Sequence, residues 1–422
     1  MKSSKMSKKV VIVGGGAAGM LASIVAARDG ADVTVCEKNQ KLGKKLAITG
    51  KGRCNLTNHC DRETLLANIL QNPRFLYSAF SRFSPQDAMA FFEDLGVALK
   101  TERGARVFPV SDQAQEVVEA LLREMKKCGV KLTHGTVKSL LIQDGRVTGV
   151  RTDKGEIEAE AVLIATGGLS YPACGATGDG YRMAEDVGHT ITPLSASLVP
   201  LIAEPETCVK LQGLTLKNVV LSLYDAKKHC VFHELGEMLF THFGVSGPLV
   251  LSASAHMRGA AQSAYTIRLD LKPGLDAARL DARLLRDFSE RKNQDISNAL
   301  RALLPAKLIP VVLARAQIAP DEKVHSIDKR ARQRLIETVK GLSFTVQGKR
   351  PIAEAVITAG GIKTSEIDPK TMQSKRVSGL FFAGEMIDTD AYTGGFNLQI
   401  AWATAYVAGH AMAQREEYEH GE

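Results

Sequence analysis

The chain has 422 residues, 45% of them hydrophobic and 24% charged, and a formal net charge of +8. Its length predicts two or three domains, and its composition is ordinary for a globular protein. No apolar stretch reaches the roughly 20 residues that a membrane helix needs, so a membrane-spanning helix is excluded. The positive charge suits an anionic cofactor or substrate and also permits contact with nucleic acid, so it separates no function classes by itself.

The N-terminus and the cysteines indicate the compartment. The basic start, MKSSKMSKK, lacks the apolar region and the cleavage site of a signal peptide, so we interpret it as a frayed tail and expect a cytoplasmic protein. Seven cysteines are scattered along the chain, and no C-x-x-C occurs. This pattern argues against a disulfide framework, a metal site and a dithiol redox pair.

The first strong pattern lies at residues 9–38. Val10–Val13 is a short β-branched run, typical of a strand buried on both faces. Three glycines follow in the spacing G-x-G-x-x-G: Gly14, Gly16 and Gly19. An Ala-rich stretch through about Asp29 predicts a helix, and a second strand, Asp32–Cys36, ends on Glu37.

Each part of this pattern has a physical role in binding a dinucleotide. Gly14 makes the tight turn, Gly16 lets the backbone approach a pyrophosphate, and Gly19 lets the helix and strand pack closely. The helix N-terminus offers N–H groups and a positive dipole end to the phosphates. Glu37, 18 residues after Gly19, is placed to accept hydrogen bonds from the ribose hydroxyls of an adenosine. All the parts occur in order, so the sequence predicts an adenine dinucleotide site.

Residues 38–58 carry Gly43, Gly50 and Gly52 among six lysine and arginine residues. This composition predicts an irregular loop. A loop directly after the ribose-binding strand can fold over a diphosphate; the alternative is a solvated basic loop. The stretch GKGRCNLTN favours the role of covering a ligand.

The segment up to residue 168 alternates helix and strand patterns. Residues 61–100 are predicted to be mostly helical, and 114–129 to form one helix. Asp144-Gly145 predicts a hairpin turn. The apolar strand Ala161–Ala165 opens into Thr166-Gly167-Gly168, which fits a return to the parallel sheet beside the cofactor.

The middle of the chain has a different texture. Residues 170–189 form a glycine-rich loop entering a helix, and their spacing is wrong for a second Rossmann fingerprint. Residues 193–275 predict a small antiparallel β-domain, and residues 276–340 predict helices with a net charge of roughly +5 (14 minus 9). A solvated helical surface is favoured over a nucleic-acid face, because only Phe288 interleaves those charges as an aromatic residue.

The C-terminal part returns to sheet texture. A buried strand, Leu380–Ala383, ends in Gly384-Glu385, and residues 391–413 form a glycine-rich turn that opens an Ala-rich helix. The N-terminus of that helix is expected at the C-terminal edge of a strand, where α/β sheets bind ligands. Its dipole would stabilise negative charge there.

These motifs together resemble one family. The stretches GGGAAG, GKGRCNLTN, ATGG, GATGDG, LFTHFGVSGP and GLFFAGEMIDTDAYTGGFNLQIAWATAYVAG resemble the HI0933-like bacterial FAD-binding proteins, described as aminoacetone oxidase-like or bile-acid-reductase-like NAD(P)/FAD oxidoreductases. These are distant relatives of the fumarate reductase flavoproteins. The resemblance covers essentially the whole chain.

The resemblance implies an α/β fold. It implies a discontinuous Rossmann-like FAD-binding domain of the glutathione-reductase type, with an inserted β-barrel-like plus helical domain. The expected boundaries are 1–192 and 341–422 for the two parts of the FAD domain, 193–275 for the inserted β-domain and 276–340 for the inserted helical domain.

The resemblance also implies the residues that bind FAD. The ADP half, the diphosphate and the adenine would be held by Gly14, Gly16, Ala17, Ala18, Gly19, Glu37, Lys38, Val137, Thr166 and Gly167. The diphosphate and flavin would be approached by Lys45, Arg53, Cys54 and Asn55. The ribityl chain and the pyrimidine edge of the flavin would be held by Gly384, Glu385, Gly395, Asn397, Leu398 and Gln399.

We therefore expect an FAD-dependent oxidoreductase that moves a hydride between the flavin and a small organic substrate, with NAD(P)H as a candidate transient reductant. Candidates for a proton donor or substrate anchor are His242, Arg106, Tyr171 and Tyr392. Each has an ordinary structural role as its alternative, and Cys54 is expected to pack rather than react. Two other functions stay open: a flavoprotein that modifies or binds RNA, and a non-catalytic FAD-binding redox partner. The oligomeric state cannot be predicted.

Overall fold

The computed structural model describes residues 7–258 and 265–414, which form two compact units. Unit 1 comprises the chain up to Ser197 and from Ile352 onward, and unit 2 comprises Leu198–Pro351. Residues 1–6 of the predicted frayed tail lie outside the described residues. The domain boundaries predicted at residues 193, 276 and 341 stay predictions.

The strands, in chain order, are β1 Lys9–Val13, β2 Asp32–Glu37, β3 Thr57–Asn58, β4 Leu99–Glu102, β5 Arg106–Pro109, β6 Lys131–His134, β7 Val137–Gln143, β8 Arg146–Thr152, β9 Gly155–Glu158, β10 Ala161–Ile164, β11 Ser195–Ser197, β12 Leu201–Ala203, β13 Thr215–Tyr224, β14 Cys230–Thr241, β15 Gly244–Ser246, β16 Thr266–Asp270, β17 Leu342–Lys349, β18 Ile357–Ala359 and β19 Leu380–Phe382.

The helices are α1 Ala17–Arg28, α2 Lys44–Ile48, α3 Arg62–Ala67, α4 Tyr77–Arg82, α5 Pro85–Asp94, α6 Ala114–Lys127, α7 Asp179–Asp186, α8 Pro205–Leu211, α9 Pro248–Ser254, α10 Ala277–Ser289, α11 Ile296–Ala299, α12 Ile309–Ala316, α13 Lys329–Lys340 and α14 Phe396–Ala413. None of the helices in the described part of the chain has the length and apolarity to cross a membrane.

Unit 1 is built on a five-stranded parallel sheet in the order β19-β10-β1-β2-β6. The interior strand β10 is buried along its whole length, as its run of aliphatic residues predicts. Helices α1 and α14 pack against each other, and both are mostly buried. All strands of a parallel sheet end at one edge, so this sheet brings the segments after β1, β2, β10 and β19 together.

Three smaller sheets also lie in the described part of unit 1, one of them the antiparallel pair β11-β18. The strands β7, β8 and β9 form the second, and β3, β5 and β4 form the third. Asp144-Gly145 is the turn between β7 and β8, with both residues at positive φ, which confirms the predicted hairpin. The prediction that residues 61–100 are mostly helical holds for α3–α5 but is wrong for Leu99, which begins the strand β4.

Unit 2 contains a closed antiparallel barrel in the order β12-β15-β14-β13-β16-β17. Alternate residues of its strands are buried, among them Leu221, Leu223, Ile267 and Leu269. The helices α10, α12 and α13 pack on one another within the same unit. The strand that closes the barrel, β17, follows these helices in the chain and pairs with both β16 and β12. The predicted fold, an α/β sheet with an inserted barrel-like and helical part, is confirmed.

A partly buried polar cluster in unit 1 gives the fold a pH dependence. Glu366 accepts hydrogen bonds from Arg376 and from the backbone N–H of Thr190, and it lies 3.2 Å from Nδ1 of the buried His189. The hydrogen bond from Arg376 makes the largest contribution to lowering the pKa of Glu366 to about 2. Folding therefore favours the ionised carboxylate.

We expect Glu366→Gln to lower the free energy of unfolding by about 2 kcal/mol at pH 7. The pKa of Glu366 is lower in the folded state, so this contribution is fully present above its ordinary value of 4.5 and disappears as the pH falls toward 2. Urea unfolding across this pH range measures it. Glu156→Gln removes a pair with Arg151 whose two side chains are more than half exposed, and serves as the control with an expected effect below about 0.5 kcal/mol. Equal losses in both variants would contradict the assignment.

Candidate functional site

A cleft opens in unit 1 at the carboxyl ends of the parallel strands. Its lining includes the residues that follow four strands of the sheet: Gly14 after β1, Glu37 at the end of β2, Thr166 after β10 and Gly384 after β19. This edge is where open α/β sheets bind their ligands. The geometry therefore places a candidate ligand site where the glycine motif predicts it.

The N-terminus of α1 faces this cleft. Gly16 is its N-cap, with φ −82° and ψ −168°, and no side chain caps the helix. A Cβ added at Gly16 would meet no heavy atom within 4 Å, although Gly16 lines the cleft. Uncapped N–H groups beside open space suit an anionic group such as a diphosphate.

Glu37 is buried at the end of β2 and orders the loops around it. One carboxylate oxygen accepts a hydrogen bond from the N–H of Gly15 at 2.8 Å, and the other accepts from the backbone and side chain of Asn39. The carboxylate therefore joins the glycine turn to the segment after β2. Its predicted contact with ribose hydroxyls stays a prediction.

At the β19 end, Lys45 and Glu385 form a bonded network. The Lys45 ammonium donates to Glu385 Oε2 at 2.6 Å and to Ser170 Oγ at 2.7 Å, and the N–H of Thr358 donates to Glu385 Oε1 at 2.8 Å. Burial alone would raise the pKa of Glu385. The charge and hydrogen bond of Lys45, with the bonds from Thr358 and Ser170, outweigh burial and hold that pKa below its ordinary value. The Glu385 carboxylate is therefore favoured, and its contact with Lys45 fixes that side chain in the cleft lining.

Residues 170–179 cross beside the segment that follows β2. Lys38 contacts Asp179 at 2.6 Å, Asn39 donates to the carbonyl of Cys174 at 3.2 Å, and Lys44 donates to the carbonyl of Ala173 at 2.8 Å. Both segments line the cleft. The cations predicted to cover a ligand therefore tie two walls of the cleft together, and part of them lie on the short helix α2 rather than on an irregular loop.

Most of the predicted cofactor residues lie in the cleft lining. These are Gly14, Gly16, Ala17, Ala18, Glu37, Lys38, Lys45, Val137, Thr166, Gly167, Gly384, Glu385, Asn397 and Leu398. Six others do not line it: Gly19, Arg53, Cys54, Asn55, Gly395 and Gln399. Binding of a cofactor by any of them stays a prediction.

Three residues of the second group make other contacts or are buried. Arg53 pairs with Glu102 and Asp112, both at 2.5 Å. Cys54 is fully buried, and burial raises the pKa of its thiol to about 12, which disfavours thiolate chemistry. Gln399 is buried and donates to the carbonyl of Phe83.

Two others of this group, Asn55 and Gly395, seat the N-terminus of α14. With its amide oriented by its hydrogen bonds, Asn55 accepts from the N–H of Gly395 at 3.0 Å. Gly395 is the N-cap of α14. The backbone of Thr57 lies where a Cβ of residue 395 would be. These contacts hold the helix turn that carries Asn397 and Leu398 to the cleft.

Of the four catalytic candidates, Arg106, Tyr171 and Tyr392 lie in unit 1 and His242 lies in unit 2. His242 is exposed in unit 2, with its ring edge-on to Phe243. Arg106 is exposed at the start of β5 and donates to the carbonyl of Arg103. The other two lie in unit 1: Tyr171, whose ring has Lys45 Nζ at 5.9 Å from its centre, and Tyr392, which packs against the core. Their catalytic roles stay predictions.

Sequence reasoning missed several lining residues, among them Asn39, Thr136, Asp179, Val356, Ile357 and Thr389. Asp179 lies in the GATGDG stretch, which contributed to the family resemblance but gave no role for any of its residues. Val356 and Ile357 reach the cleft only because the chain re-enters unit 1 after unit 2. Within residues 7–258 and 265–414, no three His, Cys, Asp or Glu side chains are arranged to hold a metal ion.

The model of one family, the HI0933-like protein Rossmann domain, matches residues 8–411. The chain belongs to the HI0933-like family. Two relatives match over nearly their whole length. The 3-dehydro-bile acid delta(4,6)-reductase of Clostridium scindens is 32% identical, with 96% of this chain and 99% of the relative covered. The ribosomal RNA dihydrouridine synthase of Escherichia coli is 33% identical, with 95% and 97% covered.

Solved structures show the same fold. The 3-ketosteroid-delta4-(5alpha)-dehydrogenase of Rhodococcus jostii superimposes with a TM-score of 0.51 at 16% identity, covering 98% of this chain and 99% of the other. The 3-ketosteroid delta1-dehydrogenase of Sterolibacterium denitrificans has a TM-score of 0.51 at 15% identity, covering 96% and 100%. As an HI0933-like protein, the chain is an FAD-dependent oxidoreductase, and the class of enzyme predicted from the sequence is confirmed.

Proposed function

We propose that the protein reduces a carbon–carbon double bond conjugated to a carbonyl group, with FAD as its cofactor and NAD(P)H as the source of electrons. The names of the two full-length relatives carry one common reaction. A 3-dehydro Δ4,6 bile acid and a uracil base each contain a double bond in conjugation with a carbonyl, and each named enzyme acts on such a bond. The observation in this chain that supports the proposal is the cleft at the carboxyl edge of the sheet.

The cleft residues suit FAD. The first turn of α1 would hold the diphosphate, and Glu37 would hold the adenosine ribose. Bound FAD supplies the hydride once it is reduced. The N-terminus of α14 brings the positive end of its helix dipole to the β19 end of the cleft, where it would favour negative charge on a bound group, whereas the charge of Lys45 is balanced by Glu385.

The chain must also provide a proton to the substrate carbon next to the carbonyl. His242 and Tyr171 are the proposed donors; Tyr171 lies beside Lys45, and His242 lies between β14 and β15. His242→Ala or Tyr171→Phe should slow reoxidation of the reduced protein by substrate without slowing its reduction by NAD(P)H. A residue whose variant changes neither turnover nor the pH profile is not the donor.

Product analysis tests the proposal. The FAD-loaded protein is incubated without oxygen with NADPH or NADH and a panel of conjugated substrates: a 4-en-3-one steroid, cyclohexenone and uridine. We expect one class to gain two hydrogens, detected by mass spectrometry, and its saturated analogue to be inert. No reduced product from any substrate without oxygen, together with consumption of NAD(P)H once oxygen is admitted, would contradict a reductase.

A second candidate substrate is a uracil base within RNA. The Escherichia coli and Haemophilus influenzae relatives named ribosomal RNA dihydrouridine synthase favour it, as do exposed cations on the helical part of unit 2, including Lys292, Arg301, Lys329 and Arg330. Binding to ribosomal RNA should then weaken steeply with salt, and dihydrouridine should form. Absence of binding at low salt would remove this candidate and leave small conjugated ketones.

A further inference from the structure

Thr389 carries a polar group that the protein itself leaves unused. Its side chain is 5% exposed, and its Oγ1 is buried without a hydrogen-bond partner in the described part of the structure. Buried hydroxyls are nearly always paired, since an unpaired one costs free energy of desolvation. Thr389 also lines the cleft. A ligand in the cleft is therefore the partner we expect, and rotation about the Cα–Cβ bond of Thr389 would turn the hydroxyl toward it.

The neighbours of Thr389 hold it in place. Asn72 donates to the backbone carbonyl of Asp388 at 2.6 Å, and Ser197 donates to the carboxylate of Asp390 at 3.0 Å. Asp388 and Asp390 are both buried, so the segment is anchored directly before and directly after Thr389. The hydroxyl cannot find a partner by a shift of this segment without breaking those bonds. This anchoring is the arrangement expected of a preorganised ligand contact.

The position of Thr389 indicates which part of a ligand it meets. It follows Glu385 at the β19 end of the cleft, whereas Glu37 lies at the end of β2. Three strand spacings separate β19 from β2 in the sheet order, which is about 14 Å. A dinucleotide whose adenosine ribose lies at Glu37 and whose diphosphate lies at α1 therefore places its other end near Thr389.

We propose that the Thr389 hydroxyl forms a hydrogen bond with a polar atom on the edge of the flavin ring of bound FAD. This assignment rests on the proposed orientation of FAD in the cleft. The free protein bears the cost of the unpaired hydroxyl, and binding of the cofactor removes it. Thr389 would then contribute to cofactor affinity while destabilising the protein without cofactor.

The test is Thr389→Val, which keeps the shape of the side chain and removes the hydroxyl. The cofactor-free variant should melt at the same temperature as wild type or higher. Its dissociation constant for FAD, measured by flavin fluorescence without substrate, should rise about threefold to tenfold. The visible absorption band of the bound flavin should shift, and Thr389→Ser should restore both the affinity and the spectrum. Thr389→Ala replaces the valine variant if that variant does not fold.

Thr241→Val is the matched control. The Thr241 hydroxyl is also buried without a partner in the described residues, but it belongs to unit 2 and does not line the cleft. Its removal should leave FAD affinity and the flavin spectrum unchanged. Wild-type affinity and spectrum in Thr389→Val would overturn the proposal, as would a change confined to the KM of a substrate. Because no substrate is present in the binding assay, failure of the proposed reaction would leave this result standing.

Discussion

Gly16→Val should abolish tight binding of FAD and leave the fold intact. The backbone of Gly16 has an extended conformation, which any residue can adopt. A Cβ added at Gly16 would have no heavy atom of the protein within 4 Å. The valine side chain would instead occupy the space beside the first turn of α1, where we place the diphosphate. We expect the dissociation constant for FAD to rise at least about a hundredfold, which corresponds to about 2.7 kcal/mol. Isothermal titration and the melting temperature of the cofactor-free protein measure the two effects.

Gly274→Val controls for the substitution itself. Gly274 also has open space around its Cβ position, is exposed, and lies in unit 2. It should bind FAD with wild-type affinity. Purification of Gly16→Val with a full complement of FAD would show that the diphosphate does not lie at the N-terminus of α1.

Gly395→Ala should strongly destabilise the fold. Gly395 has φ +99°, and an added Cβ would lie 2.3 Å from the backbone of Thr57. The variant must move either β3 or the first turn of α14, and it also adopts an unfavourable backbone conformation. We expect the free energy of unfolding to fall by roughly 3 kcal/mol. FAD affinity should fall as well, because Asn397 and Leu398 lie on the displaced turn.

Gly129→Ala separates the two causes. Gly129 also has a positive φ, +75°, but an added Cβ meets nothing within 4 Å. Gly129→Ala should lower the free energy of unfolding by about 1 kcal/mol, which is the cost of the left-handed conformation alone. Chemical denaturation of both variants gives the comparison. Similar losses in the two would mean that the contact between Gly395 and Thr57 is not a constraint on the fold.

Four of the five strands of the parallel sheet could be predicted because they are largely buried; the edge strand β6 is the exception. Val10–Val13, Asp32–Cys36, Ala161–Ala165 and Leu380–Ala383 each give a local apolar signal, and each coincides with a strand of the parallel sheet within one residue. The strand at Leu99 could not be predicted, since its pairing with β5 is a tertiary contact that no local pattern encodes.

The basic segment after β2 shows a second limit. Its glycines and lysines predict an irregular loop, but Gly43, at φ +67°, caps the short helix α2, and Lys45 lies on that helix. A segment in which a left-handed glycine caps a short helix has the same amino-acid composition as a glycine-rich loop, so composition cannot distinguish the two structures. The prediction that this segment covers a ligand therefore does not depend on whether the segment forms a loop or a short helix.

The candidate site shows the same division. Contiguous motifs gave the residues that follow β1, β2, β10 and β19, because the parallel sheet brings those ends to one edge. The GRCN motif gave neighbours of the cleft rather than its lining, since Arg53 turns toward Glu102 and Asp112. Thr389 had no signal, because only the structure shows that its hydroxyl has no partner in the described residues.

The measurement that tests the account most directly is an anaerobic stopped-flow experiment in two steps. The FAD-loaded protein is first mixed with NADPH or NADH, and then with a conjugated ketone or uracil-containing RNA. We predict loss of the visible absorbance of the oxidised flavin in the first step and its return in the second, together with formation of the saturated product. Flavin that NAD(P)H does not reduce, or reduced flavin that only oxygen reoxidises, would contradict an FAD-dependent reductase of conjugated double bonds.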